Sequence, residues 1–127
     1  MDVGIGLPAA IPGVSGASAI KWAQKAETGP FADEQLETMK RICAGGPAGE
    51  NAGAYFALDG DAKSTGAENI MHYYGAPFGP MTSEGLPDSV DAFKESISGF
   101  SDAGCDELIL WPTVTDLDQV ERLTELI

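Results

Sequence analysis

Two rhythms of apolar and polar residues alternate along this chain, and between them they predict three strands and five helices. Val3-Gly4-Ile5-Gly6-Leu7-Pro8 is a short apolar run ended by a proline, as a buried strand is. After a loop carrying Pro12, Gly13 and Gly16, a helix is predicted from about Ala17 to Glu27. Ile20, Ala23 and Trp22 form its apolar side, Lys21 and Lys25 face water, and Gly29-Pro30 stops it. Asp33 is a good N-cap for a second helix, about Glu34 to Ala44, whose stripe is Leu36, Met39, Ile42 and Cys43. Glu37 and Arg41 stand four apart on its wet face. Ala48 to Ala52 reads as a loop, and Ala54 to Leu58 as a strand without alternation, hence covered on both faces.

Asp59-Gly60-Asp61 turns into a helix from about Ala62 to Tyr74, weakened by Gly66 in its interior. Gly75 to Gly85 is rich in glycine and proline and reads as a loop, and Pro87 suits a first helical turn. Val90, Phe93, Ile97 and Phe100 recur at three- and four-residue spacing, the clearest helical stripe in the chain, and Gly104 stops that helix. Glu107 to Trp111 is the third strand, closed by Pro112. Asp116 and Gln119 have capping-box spacing for a last helix with Val120, Leu123 and Ile127 on its buried side. The order β-α-α-β-α-α-β-α implies one α/β domain, residues 1–127, with a parallel sheet joined by helical crossovers.

Composition narrows the functional classes. The net charge of −13 opposes binding to nucleic acid or to an anionic membrane, both of which require a basic surface. The chain opens Met1-Asp2 without a basic-then-apolar leader, and no apolar run approaches the ~20 residues of a membrane span, so a cytoplasmic, soluble, acidic protein is expected. In that setting Cys43 and Cys105 are expected as reduced thiols, and two Cys with one His lack any metal-ligand spacing.

Few motifs carry chemistry. Gly4-Ile5-Gly6-Leu7-Pro8-Ala9 loosely fits a dinucleotide fingerprint, but only three residues precede it and Pro8 sits in the loop, so a glycine-bearing strand is the better reading. His72 could act as a general base, yet no acid near it in sequence orients it, and a surface or packing histidine is the ordinary reading. Ser15 and Ser18 lack a nucleophile-elbow context. Asp102, Asp106, Glu107, Asp116 and Asp118 flank the third strand, mostly in capping or solvated roles. Leu7-Pro8 and Trp111-Pro112 end predicted parallel strands on the side where barrel enzymes place their sites. Trp111 offers a flat surface on which an isoalloxazine-like ring could rest; packing beneath the following helix is its commoner fate.

Three blocks resemble the luciferase-like monooxygenases, flavin- or deazaflavin-dependent oxidoreductases built on a (β/α)8 TIM barrel. Met1 to Ala26, with Val-Gly-Ile-Gly-Leu-Pro and Lys-Trp-Ala-Gln-Lys-Ala-Glu, is similar to the family's first strand and helix. Phe31 to Gly45 is similar to a mid-barrel helix, and Gly53 to Ile127 to its seventh strand, the helices that follow, its eighth strand and its last helix. The resemblance implies a partial, internally truncated barrel whose three parallel strands keep the parent order seven-eight-one, with the strand at Glu107–Trp111 central. It implies FMN or a deazaflavin coenzyme as cofactor, with Leu7, Pro8, Trp111 and Pro112 as the contacts retained and no catalytic residue assigned. Most of the family's pocket strands are missing, so the site is expected to be incomplete; the alternative is a non-catalytic remnant or an interaction and oligomerisation module. The exposed edges and the deserted barrel-interior face further predict self-association or pairing with a related subunit.

Overall fold

The computed structural model describes residues 1–8, 11–30, 51–87 and 89–127, without the side chains of residues 51 and 60. Its strands are β1 (Asp2–Ile5), β2 (Asn51–Phe56) and β3 (Glu107–Pro112). Its helices are α1 (Gly16–Ala26), α2 (Gly60–Tyr74), α3 (Phe78–Glu84), α4 (Val90–Asp102) and α5 (Asp118–Thr124). The predicted helix at Glu34–Ala44, with Cys43, lies outside the described residues.

The three strands form one parallel sheet in the order β1-β3-β2, so the strand before the C-terminal helix is central, the order that the resemblance implies. Asp2 pairs with Glu107 and Ile5 with Leu110 on one side; Asn51 pairs with Glu107 and Phe56 with Pro112 on the other. β2 begins earlier than the predicted strand. Asn51 and Ala52, read as the end of a loop of small residues, belong to it, and Ala57 and Leu58 lie beyond its end. Small residues suffice there because β3 supplies the bulk.

Alternation along the strands divides the sheet into two faces. Leu108 and Leu110 of β3, Ile5 of β1 and Phe56 of β2 face the helices and join Trp22, Leu58, Phe93, Val120 and Leu123 in one core. α1 contributes Trp22, which is fully buried and donates its indole N–H to the Thr115 carbonyl at 3.1 Å. Ile20, assigned to the same apolar side, is instead 59% exposed, because the helix turns its Trp22 side inward. The Ser15 hydroxyl caps α1 and that of Ser89 caps α4, each accepting from the backbone N–H three residues on.

On α4, Phe93 is buried and Ile97 and Phe100 pack against the core, while Val90, at the first turn, is exposed. Pro87 precedes the Ser89 cap rather than sitting in that first turn. The glycine- and proline-rich stretch read as a loop contains α3, whose seven residues pack against α2. Gly79 permits that contact, since a side chain there would begin 3.0 Å from the Met71 sulfur. Gly66 has a similar cause: any side chain would overlap the Thr113 hydroxyl, so its helix cost is accepted in exchange for close approach to the loop after β3.

The predicted capping box of α5 does not form. Asp116 accepts from the Asp118 N–H, but Gln119 is 1% exposed and turns away from its own helix. Its amide oxygen accepts from Leu58 N at 2.7 Å and its amide nitrogen donates to Leu58 O at 2.9 Å. Ile127 is exposed, so Val120 and Leu123 form the apolar part of this helix's buried side, beside Gln119. No helix among the described residues is long and apolar enough to cross a membrane.

Candidate functional site

The carboxyl ends of parallel strands collect loop backbone and converging side chains, and ligands of α/β proteins gather there. Two features stand at that end of this sheet. One is an aromatic ledge on the face opposite the core. The other is a cleft between the loops that follow β2 and β3.

The ledge begins with Trp111. Alternation turns Ile109 and Trp111 away from the face of Leu108 and Leu110. The neighbouring strands carry glycines beside it. At Gly6, just beyond β1, an added Cβ would overlap the six-membered ring of the indole; at Gly53 of β2, it would lie 3.4 Å from the indole nitrogen. The indole therefore spans from β1 to β2 across the central strand, and is 38% exposed. It packs on strands rather than beneath the next helix.

Tyr55 pairs with Trp111 in the β2–β3 register and so belongs to the same face. Its hydroxyl and that of Tyr74 at the end of α2 are 2.6 Å apart, and their rings meet edge to face. Tyr73 adds a second edge-to-face contact on Tyr74. Burial raises the ionisation of the Tyr55 phenol above the ordinary tyrosine range, and the hydrogen bond shared with Tyr74 raises it further. The ledge thus holds a neutral hydroxyl pair beside three aromatic rings and an indole.

Of the four residues singled out in the sequence, Leu7 and Trp111 present surface to solvent, whereas Pro8 and Pro112 are fully buried. Pro112 continues the alternation onto the covered face, which removes it from any ligand on the ledge. Tyr55, Tyr73 and Tyr74 were not singled out as site residues. Aromatics on a strand and at a helix end look like core residues until the pairing register places Tyr55 beside Trp111.

The cleft has a volume of about 320 Å3 and is lined in part by Asp59, Asp61, Asp116, Asn69, Gln119 and Arg122. Arg122 is committed within it. One guanidinium nitrogen donates to Asp59 Oδ2 and to Leu58 O, both at 2.6 Å, and the Asp59 bond holds the guanidinium's ionisation above its ordinary value. Asp59 has a positive φ of 146°, a backbone state that costs of order 1–3 kcal/mol and persists only where its surroundings impose it. The double clamp of Gln119 and Arg122 on Leu58 imposes it. Asn69 donates to Thr113 O, and the Thr113 hydroxyl donates to Phe56 O, closing the other wall. Three carboxylates against one paired cation make the cleft repellent to phosphate.

The remaining candidates disperse. His72 stands exposed on α2 between Met71 and Tyr73, Ser15 and Ser18 are occupied in capping α1, and Glu107 is buried within β3 rather than solvated. The Cys105 thiol donates to the Glu107 carbonyl. No group of three or more His, Cys, Asp or Glu among the described residues could hold a metal ion. No protein-family model, no curated protein and no solved structure matches the chain.

Proposed function

We propose that this chain is a partial barrel related to the luciferase-like monooxygenases, and that its ledge receives the planar ring of FMN or a deazaflavin coenzyme in an open half-site. The observation that carries the reading is the indole of Trp111, lying across two glycines at the carboxyl end of a three-stranded parallel sheet. A flat aromatic surface held by the backbone is suited to stacking. The order β2-β3-β1 supports the barrel relation, since it is the seven-eight-one adjacency expected of the parent. In an oxidoreductase of that family the bound ring carries hydride transfer or oxygenation. What these residues contribute is position: Trp111 supports one face of the ring, and the Tyr55–Tyr74 hydroxyl pair offers a neutral hydrogen-bonding edge.

The exposure of Leu7 and Trp111 also favours a second reading, a non-catalytic remnant or interaction module paired with itself or a related subunit. A ring on this ledge would be supported from one side only, whereas a working pocket encloses about 70–90% of its ligand. The test is titration with FMN, followed by quenching of flavin fluorescence. Weak binding, weaker than about 100 μM and abolished by Trp111→Ala, is expected of the half-site. Binding that survives Trp111→Ala, or no quenching at millimolar protein, would overturn the ring-binding reading in favour of the module.

A further inference from the structure

We propose that two copies of this chain associate through the corner formed by the end of α2 and by α3, a surface that shares Tyr73 and Tyr74 with the edge of the ledge. Five of the large exposed apolar side chains fall within eleven consecutive residues there: Met71, Tyr73, Tyr74, Phe78 and Met81, with exposures of 41, 58, 40, 58 and 66%. Met71 and Tyr74 are three apart on α2, and Phe78 and Met81 are three apart on α3, so each helix offers one strip. The strips are held together by the close approach of Gly79 to Met71 and by the bond from Gly79 N to Gly75 O at 2.6 Å.

Charge identifies the occupant as a second copy. Each chain carries −13, so most of its surface repels another copy. From Asn69 to Ser83, by contrast, there is no Asp, Glu, Lys or Arg, and Glu68 and Glu84 stand at the two borders. Two copies meeting here bring no carboxylates face to face, and the aromatic and Met content matches that of interface cores, from which charges are depleted. A basic partner would find no acid in the centre of this patch to pair with. At about 200 Å2 per large side chain, the five leave roughly 500 Å2 exposed. A two-fold contact would then bury about 1,000 Å2 in total, the lower limit for a specific association. The result is a weak dimer, half formed at tens to hundreds of micromolar, and favoured by salt because screening shortens the repulsion of the acidic surfaces to about 8 Å.

Sedimentation velocity of the full chain across this concentration range, at low and physiological ionic strength, tests the proposal. The expected result is a monomer–dimer equilibrium strengthened by salt. Phe78→Asp and Met81→Asp, both on exposed positions, should each weaken it at least tenfold with unchanged circular dichroism, while Ile20→Asp on α1 leaves it intact. A monomer under all conditions, a dimer that survives both α3 substitutions, or one abolished by Ile20→Asp overturns the proposal. Failure on any of these counts leaves the flavin titration unaffected.

Discussion

The two faces of this small sheet are built on opposite principles. The covered face is made of bulk: Leu108, Leu110, Ile5 and Phe56 fill the space beneath the helices, and Phe93, Trp22 and Leu123 fill it from above. The other face, which also carries Ile109 and Tyr55, is shaped around one side chain: Gly6 and Gly53 give up their side chains so that a single indole can lie across three strands. Burying a large apolar side chain contributes about 1.5–3 kcal/mol, so the first face carries the stability. The second carries shape, and shape is what a binding surface requires. The same strands thus separate a filled face from an open, shaped one by residue parity alone.

That contrast breaks most visibly in the core. Phe93→Ala should cost about 3–5 kcal/mol and Leu110→Ala about 2–5 kcal/mol, either of which would bring a domain of this size close to unfolding. Chemical denaturation measures both; a midpoint unchanged by Phe93→Ala would contradict the placement of α4. Next is overpacking on the open face. Gly6→Ala forces Trp111 from its seat, with an expected loss of about 1–3 kcal/mol and a shift of tryptophan emission. If stability and emission both hold, the indole does not lie where its contacts place it.

Trp111→Ala should be milder, about 1–2 kcal/mol, because 38% of the residue is already in water. A loss equal to that of Leu110→Ala would mean that the two faces do not differ. The smallest effect concerns pH. The phenol of Tyr55 ionises above the ordinary tyrosine value near 10, so the folded state holds that proton more tightly than the unfolded chain. Its stabilising contribution is complete below about pH 10 and is lost as pH rises toward and through the folded value. Tyr55→Phe should therefore flatten the decline of stability above pH 10, as thermal melts at pH 9 and 11 would show; an equal decline in both proteins would remove Tyr55 from the account.

Much of the fold was legible because burial leaves a periodic trace. Phe93, Ile97 and Phe100 announced α4, and the apolar runs at Val3, Ala54 and Glu107 located three strands whose parallel direction followed from their helical connections. The misreadings share a cause, which is that local chemistry was overruled by distant partners. Gln119 had capping spacing but bonds Leu58, 61 residues away. Gly66 looked like a weak point in a helix until Thr113 appeared against it. Gly75 to Gly85 has the composition of a loop, yet α3 forms because packing on α2 outweighs propensity over seven residues. At the site, Trp111 and Leu7 were visible as ends of strands, but the tyrosines required the β2–β3 register, which no local pattern encodes.

The clamp on Leu58 has a consequence for the motions of the molecule. Leu58 lies beyond the end of β2 and before α2, where an amide would ordinarily open and exchange its hydrogen with solvent early. Here its N–H is donated to a fully buried side chain of the last helix, and its carbonyl takes two bonds from that helix. In deuterium exchange this amide should therefore be as slow as those of β3, and it should become fast only when α5 detaches. One amide between two elements would then report the opening of the chain's C-terminal end.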